Sequence, residues 1–248
     1  EIDQVTHRPN KLVYFPKGRG GEYTIPVGIT TIGANAFYNC ENITKVIIPG
    51  YVTLIEEQAF YSCGDLAEIE FTGRSTDGDL EIGTKAFYSC TSLTSVTLPP
   101  NLKTLRKFAF GSNKNLVTVT ANCDRPTLEF ETYAFHTDNT YYTGYVVTLN
   151  LGPNMAVVDI NGVFGSSKLV SVNVDPANDF YTSIDGVLFD KAVLNLVYFP
   201  TGIVGEYTIP DTVTTIGTRV FENKELSSIV IGKNITQIGD QAFHGCRN

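Results

Sequence analysis

The chain has 248 residues, and 26 Asp and Glu against 18 Lys and Arg give it a formal net charge of −8. This length allows one or two domains with a substantial core, and the hydrophobic content of 42% is that of an ordinary folded protein. Nucleic acid and anionic membranes are not expected as main partners, because binding phosphate requires clustered cations. No apolar run approaches the roughly 20 residues of a membrane-spanning helix and no signal peptide begins the sequence, so we expect no membrane insertion.

The first predicted element is a strand over Lys11–Phe15, within a segment that recurs near the other end of the chain. Residues 12–33 and 196–217 are identical at 16 of 22 positions. Such a long internal match indicates that both segments form the same structural module.

The central part of the chain is a repeat anchored on an Ala-Phe or Val-Phe pair. Its anchors are Phe37, Phe60, Phe87, Phe110, Phe135, Phe164, Phe221 and Phe243. Successive anchors are 22–29 residues apart, except for one step of 57, and an insertion at 73–79 accounts for a step of 27. This period predicts a solenoid, in which no unit buries enough apolar surface alone and stacked coils share a continuous core.

A pattern L-x-x-V-x-L follows most anchors, as at Leu93–Leu98. Side chains alternate along a strand, so the fourth and sixth positions are predicted to face the core and the third and fifth to face outward. Turns are predicted at Pro26, Pro49, Pro99 and Pro210 and at the Gly of each Ile-Gly pair.

The 57-residue step contains a longer module over residues 175–217. Its apolar runs Val187–Phe189 and Leu194–Phe199 flank an Asp190-Lys191 turn, which predicts a β-hairpin. Because residues 11–33 match only the second half of this module, we expect the chain to be part of a longer array.

Residues 82–99, IGTKAFYSCTSLTSVTLP, resemble the leucine-rich repeat of the BspA type, also called the Treponema pallidum type. The resemblance covers nearly the whole chain. It implies a right-handed leucine-rich-repeat solenoid, mostly β, with a parallel sheet of short strands and short helical or 3-10 turns on the opposite face. We predict a single domain over 1–248, with 11–33 and 175–217 as longer hairpin-type modules.

The cysteines and histidines are interpreted as structural. Cysteines stand three residues after four of the anchors, at Cys40, Cys63, Cys90 and Cys246, where a small buried side chain is expected; they are predicted to be reduced thiols. Cys123 lies off this register. The sequence contains no recognisable nucleophile–His–acid arrangement, metal-ligand spacing, phosphate loop or dinucleotide fingerprint, so we predict no catalytic residues, metal or cofactor.

Two surfaces are candidate ligand sites. The first is a low-charge row of outward strand positions, and its members are Ser95, Thr97, Thr118, Thr120, Ser171 and Asn173. The alternative is that Ser and Thr merely suit exposed strand positions. The second is the insertion 138–145, where Tyr141, Tyr142 and Tyr145 cluster as in protein- or sugar-binding loops. Alternatively, Tyr145 begins the next strand and packs inward.

The resemblance also implies a function class. Proteins of this type are bacterial surface or secreted proteins, some of which take part in adhesion to matrix proteins such as fibronectin. It implies an extracellular, non-enzymatic module that binds a protein or a glycan. The acidic net charge predicts a monomer. The alternatives are a structural stalk that presents another domain and a protein that binds or acts on surface glycans.

Overall fold

The computed structural model describes residues 10–74, 76–124, 129–136, 147–156, 159–164 and 169–246. The chain forms two compact units, one within Glu1–Val146 and Val157–Ser167 and the other within Val147–Ala156 and Lys168–Asn248. Each unit consists of coils that contribute short parallel strands, as predicted for a solenoid of the leucine-rich-repeat class.

The first unit contains strands from two segments of each coil. They are β1 (Lys11–Leu12), β2 (Gly21–Thr24), β3 (Thr31–Ile32), β4 (Ile43–Ile48), β5 (Leu54–Ile55), β6 (Glu68–Phe71), β7 (Leu80–Ile82), β8 (Ser95–Leu98), β9 (Leu102–Leu105), β10 (Thr118–Ala121) and β11 (Glu129–Phe130). One parallel sheet has the order β1-β3-β5-β7-β9-β11, a second has the order β2-β4-β6, and β8 pairs with β10. Apart from β1, the strands of the first sheet come from the segments just before the anchors, such as Thr31-Ile32-Gly33, where the sequence predicted only a turn at the Gly. These are called the Thr-Ile-Gly segments. The predicted strand Lys11–Phe15 is reduced to β1.

The second unit combines coils with hairpins. Its strands are β12 (Thr148–Leu151), β13 (Ser171–Val174), β14 (Tyr181–Ile184), β15 (Val187–Asp190), β16 (Asn195–Tyr198), β17 (Gly205–Thr208), β18 (Thr215–Ile216), β19 (Leu226–Val230) and β20 (Gln237–Ile238). β15 pairs antiparallel with β14 and with β16, so the predicted hairpin across Asp190-Lys191 is observed. The pairs β12–β13, β16–β18, β18–β20 and β17–β19 are parallel.

The anchor segments are chains of turns, and not the short helical or 3-10 segments that the resemblance implied. Around Phe37, alternate backbone N–H groups donate to the next coil, while the intervening ones close turns within the segment. Phe37 N–H donates to the Ala59 carbonyl at 2.7 Å, whereas Tyr38 N–H donates to the Asn35 carbonyl at 3.0 Å. Asn35 and Asn39, two residues before and after the anchor, have φ values of 58° and 55°. Such left-handed residues interrupt a helical path. Among the described residues the one helix is α1 (Ile160–Phe164) in the first unit.

The anchor phenylalanines form the core of each unit. Phe37, Phe60, Phe87, Phe110, Phe135 and Phe221 are buried, and Phe243 is half-buried. In the first unit the rings stack from coil to coil, with centroids 4.4 Å apart for Phe37–Phe60 and 5.3 Å apart for Phe110–Phe135. Phe164 lies in α1, and its side chain is outside the described part of the structure. Stacking of these rings therefore packs each coil against its neighbour.

The position three residues after each anchor also links neighbouring coils. The thiols of Cys63 and Cys90 donate to the carbonyls of Phe37 and Phe60 at 3.0 and 3.2 Å. Burial raises the pKa of the Cys40 thiol to about 11, so this group is a neutral thiol at physiological pH. The described cysteines are all unbridged. Cys246 is exposed and not part of the core, because no described coil packs against its outer side.

Lys224 occupies this same position in the second unit and is the most buried lysine of the described chain. It is 6% exposed, its Nζ donates to the Thr201 Oγ1 at 2.9 Å, and it lies 5.1 Å from the Tyr198 ring centroid. Burial lowers the pKa of Lys224 to about 8, although Glu222 and Cys246 oppose this shift. The buried ammonium is therefore a source of instability at neutral pH.

We expect Lys224→Met to raise the free energy of unfolding at pH 7 by about 1–2 kcal/mol. In the folded protein Lys224 loses its proton near pH 8, whereas in the unfolded chain it does so near 10.5. Between these values the unfolded state binds more protons, so the wild type gains stability as the pH rises. Urea unfolding of both proteins at pH 7, 8, 9 and 10 should show the difference shrinking with pH. The exposed Lys233→Met is the control, and a pH-independent difference would contradict the prediction.

Candidate functional site

The outward positions of β4, β6, β8 and β10 form a polar surface on the first unit. Parallel pairing aligns Thr118 with Ser95 and Thr120 with Thr97. Ser95 and Thr97 are exposed, whereas Thr118 and Thr120 are half-buried. The alternate residues of β8 and β10 are buried, so the period-2 pattern of the sequence places these hydroxyls outward. Four hydroxyl groups thus lie on one face of two adjacent strands.

The sheet is interrupted beside this hydroxyl face. β6 and β8 come from consecutive coils and their Cα atoms approach within 8 Å, yet no hydrogen bond joins these two described strands. A groove with a volume of about 490 Å³ lies along the interruption, and its walls are Ala67–Phe71, Ser95–Pro100 and Asn122. Paired strands are about 4.8 Å apart, so the gap is too narrow to admit a further strand between β6 and β8. A partner would therefore lie over the groove.

The insertion at 73–79 lies between the coils that carry β6 and β8. Its Gly78 carbonyl accepts a hydrogen bond from the buried Asn101 Nδ2 at 3.0 Å. Within the insertion, Arg74 N–H donates to Asp77 Oδ2 at 2.6 Å. Asp79 forms an ion pair with Lys103 at 3.2 Å. The extra residues thus pack against the coil that begins after β8, at the place where the sheet is interrupted.

One lysine offsets part of the negative charge on the β6 side of the groove. Lys45 Nζ lies 2.8 Å from Glu68 Oε1 and 2.8 Å from Glu70 Oε2. Hydrogen bonds to these two carboxylates raise the pKa of Lys45. One wall of the groove is therefore an ionic cluster and the other is lined by hydroxyl groups, an arrangement suited to a polar extended ligand.

The other predicted site residues lie apart from this groove. In the second unit, Ser171 Oγ donates to Asn173 Oδ1 at 2.6 Å, and Asn173 Nδ2 donates to Asn150 Oδ1 at 3.0 Å. Ser171 and Asn173 thus belong to a short hydrogen-bonded chain along β12 and β13. Tyr141, Tyr142 and Tyr145 lie outside the described residues, and their binding role stays a prediction.

Sequence reasoning missed a second groove, of about 370 Å³, on the sheet built from Thr-Ile-Gly segments. Glu56, Arg106 and Glu131 stand where other coils have the Gly of the Ile-Gly pair. Arg106 Nε lies 2.8 Å from Glu81 Oε1, and its Nη1 lies 2.9 Å from Glu131 Oε1. The sequence did contain a signal for this groove, because the Gly of the Ile-Gly pair is replaced by a charged residue in three coils.

Ion pairs around this second groove fix the charge states of its carboxylates. Partial burial of Glu56 opposes ionisation, but Lys11 at 2.8 Å and the Ala34 N–H hold its pKa below the usual range. Arg106 and the Lys107 N–H lower the pKa of Glu131 in the same way, again against partial burial. Both carboxylates stay ionised and engaged at neutral pH, which does not suit them to general acid catalysis.

The described residues contain no cluster of three or more His, Cys, Asp or Glu side chains placed to hold a metal ion. No helix in this part of the chain has the length and apolar character to cross a membrane.

Comparison with solved structures relates the fold to bacterial repeat proteins. The pneumococcal vaccine antigen PcpA is 21% identical with a TM-score of 0.64, over 95% of this chain and 61% of that protein. The chain thus spans about three fifths of the length of that protein. A leucine-rich cell surface protein from Faecalibacterium prausnitzii is 22% identical, with a TM-score of 0.47 and coverage of 91% and 67%. The leucine-rich repeat protein of T. pallidum is 17% identical, with a TM-score of 0.42 and coverage of 94% and 84%.

A search of curated protein sequences found no significant match. The family model of the BspA-type leucine-rich repeat region matches six copies, over residues 17–143 and 204–248, which is more than half of the chain. The matched copies correspond to the coils and anchor turns described above. The chain therefore belongs to the BspA-type leucine-rich repeat family.

Proposed function

We propose that this chain is a non-enzymatic interaction module that binds a protein partner through the groove between β6 and β8. The observation that carries the proposal is the interruption of the sheet beside the outward hydroxyls of Ser95 and Thr97. It leaves a polar wall beside the groove, and the side-chain hydroxyls of this wall offer hydrogen bonds to an extended segment of a partner that lies over the groove. The repeat family supports a role in protein interaction.

The setting that we propose is a bacterial cell surface or the secreted space, with adhesion to host matrix proteins as the activity. A vaccine antigen with the same fold supports an extracellular setting. We propose that the module acts as a monomer without a cofactor. A solenoid suits such a role because its coils present one long surface and tolerate exchange of outward residues.

The test is capture of fibronectin, fibrinogen and laminin by the purified chain in biolayer interferometry. Thr97→Lys is expected to leave the free energy of unfolding within about 0.5 kcal/mol of wild type, since residue 97 is exposed. It should weaken capture at least about tenfold, because a lysine would occupy the mouth of the groove. Ser228→Lys, at an outward position of β19 in the second unit, is the matched control and should bind as wild type does.

Unchanged capture by Thr97→Lys would remove the site from the groove. Absence of capture by the wild type for all three matrix proteins would overturn matrix adhesion. The structural stalk would then be the favoured function.

A further inference from the structure

The outward positions of β4 and β6 carry charges that the fold does not require. Strand β4 pairs with β2 in the same way as β19 pairs with β17 in the second unit, with Lys45 opposite Glu22 and Ser228 opposite Glu206. An uncharged residue therefore suffices at the position of Lys45. At the third and fifth positions of the repeat, where β6 has Glu68 and Glu70, the strands β8, β10, β13 and β19 have uncharged residues. The charges on β4 and β6 thus need an explanation outside folding.

This face of the first unit has an excess of negative charge. The outward positions of β2, β4, β6 and β8 hold the carboxylates of Glu22, Glu68 and Glu70 against the single ammonium of Lys45, which is a net charge of −2. Lys45 contacts one oxygen of Glu68 and one oxygen of Glu70. The side chains of these two glutamates are 58% and 44% exposed. Both carboxylates are therefore accessible to a partner from the groove side.

The two walls of the groove present matched residues. Glu68 and Ser95 are the third positions of consecutive copies of the repeat, and Glu70 and Thr97 are the fifth positions. Strand pairing keeps third positions opposite one another on both sides of the groove, between β4 and β6 and between β8 and β10. The same register across the groove places Glu68 opposite Ser95 and Glu70 opposite Thr97. We name these two sets the carboxylate–hydroxyl pairs.

Cations approach the two carboxylates from one side only. Lys45 lies on the β4 side of Glu68 and Glu70. On the groove side, the residues that face them on the described strand β8 are Ser95 and Thr97, which are uncharged and exposed. A cation of a partner can therefore approach from the groove side, in the way that Lys45 does from the other.

The spacing of the carboxylate–hydroxyl pairs matches that of an extended peptide. The members of each wall are two residues apart on their strand, so their side chains leave the backbone about 6.8 Å apart. A peptide that runs along the groove in an extended conformation turns every second side chain toward it, at the same spacing. A Lys or Arg at each of these positions would meet a carboxylate on one wall and a hydroxyl oxygen, a hydrogen-bond acceptor, on the other.

We propose that the partner segment that lies over the groove is a basic extended peptide with Lys or Arg at every second residue. This inference rests on the proposed function, because it concerns the same groove. Each cation that points toward the groove lies within one carboxylate–hydroxyl pair. An acidic segment would be repelled by the negative face, and an apolar segment would cover the carboxylates without pairing them.

The test is binding of a labelled octapeptide of alternating Lys and Thr to the intact chain, measured by fluorescence anisotropy. The matched probe has the same composition, but its lysines come in adjacent pairs. In an extended chain the lysines on one face of this probe are about 13.6 Å apart, so one lysine at a time meets the two carboxylate–hydroxyl pairs. We expect the alternating peptide to bind at least about fivefold more tightly, with an affinity that falls as salt is added.

Two double variants separate the groove from the overall negative charge of the chain. Glu68→Gln/Glu70→Gln should raise the apparent Kd of the alternating peptide at least about tenfold. Glu206→Gln/Glu225→Gln removes the same charge from exposed positions of the second unit and should bind the peptide as wild type does.

Removing the internal cation should have the opposite effect. Lys45→Gln is expected to lower the apparent Kd of the alternating peptide at least about threefold, because both carboxylates lose their internal partner. Lys233→Gln, at an exposed residue of the second unit, makes the same change in net charge and should leave the Kd unchanged. A merely structural role of the ionic cluster would not tighten binding in Lys45→Gln.

The outcomes distinguish this inference from the proposed function. Equal affinity of the two peptides, absence of peptide binding, or unchanged binding by Glu68→Gln/Glu70→Gln would overturn the basic partner. If Thr97→Lys nevertheless weakened capture of a matrix protein, the groove would remain the binding site for a partner of other chemistry. If no matrix protein were captured but the alternating peptide bound to wild type and not to the Glu68→Gln/Glu70→Gln variant, matrix adhesion would be overturned and the basic partner supported.

Discussion

Phe87→Ala is expected to lower the free energy of unfolding by about 3–5 kcal/mol. Phe87 is fully buried in the middle of the ring stack, with centroids 4.9 Å from Phe60 and 5.0 Å from Phe110. Backbone hydrogen bonds fix the coils on both sides, because Phe60 N–H donates to the Ala86 carbonyl and Phe87 N–H to the Ala109 carbonyl. The neighbouring coils therefore cannot close the cavity.

Urea unfolding followed by circular dichroism measures this loss. Phe243→Ala is the matched control, since Phe243 is half-buried and stacks on Phe221 at 5.2 Å. We expect it to lose about half as much stability as Phe87→Ala. A loss below about 1 kcal/mol for Phe87→Ala would contradict the role of the ring stack.

Asn178→Ala is expected to cost about 3–4 kcal/mol, because one buried side chain satisfies four backbone groups. Its Nδ2 donates to the Gly152 and Met155 carbonyls at 2.8 and 3.0 Å. Its Oδ1 accepts from the Phe180 and Tyr181 N–H groups, both at 2.8 Å. The alanine variant leaves two donors and two acceptors without this partner, in a place where the side chain is fully buried.

Asn178→Asp tests the geometry of this network. The carboxylate keeps the two accepted hydrogen bonds but turns an oxygen toward the Gly152 and Met155 carbonyls, so its pKa should rise on folding. The variant should be less stable than wild type at pH 7 and recover part of the difference at pH 4, where the protonated group donates. The control Asn173→Ala, at an exposed residue, should change stability by less than about 0.5 kcal/mol. Equal losses for Asn173→Ala and Asn178→Ala would show that the network adds nothing specific.

The repeating parts of the fold could be predicted from the sequence. The spacing of the Ala-Phe pairs predicted the coils, and the alternation in L-x-x-V-x-L placed Ser95 and Thr97 outward, because strand period and burial act together at each copy. The sheet of Thr-Ile-Gly segments was missed, since strands of two residues such as β3 and β5 are too short to show a period. The left-handed residues were missed because Asn, Gln, Ser and Lys at these positions are equally compatible with other turns.

Structural features that occur only once in the chain could not be predicted from the sequence. The insertion at 73–79 was visible as a longer step, but nothing in its residues indicates that β6 and β8 separate. The network of Asn178 depends on Gly152 and Met155, which lie more than 20 residues earlier and follow no repeated pattern.

The interruption between β6 and β8 also determines how the first unit responds to mechanical force. Tension along the stack is resisted by ladders of backbone hydrogen bonds, and between most coils of this unit two strand ladders and one anchor-turn ladder share the load. Between the coils of Phe60 and Phe87 the β4–β6 ladder does not continue, so the pair β5–β7 and the anchor turns carry the force. Under tension along its coils, the first unit would therefore yield at this joint before the described joints that keep both strand ladders, and the insertion at 73–79 would lengthen the connection as it opens.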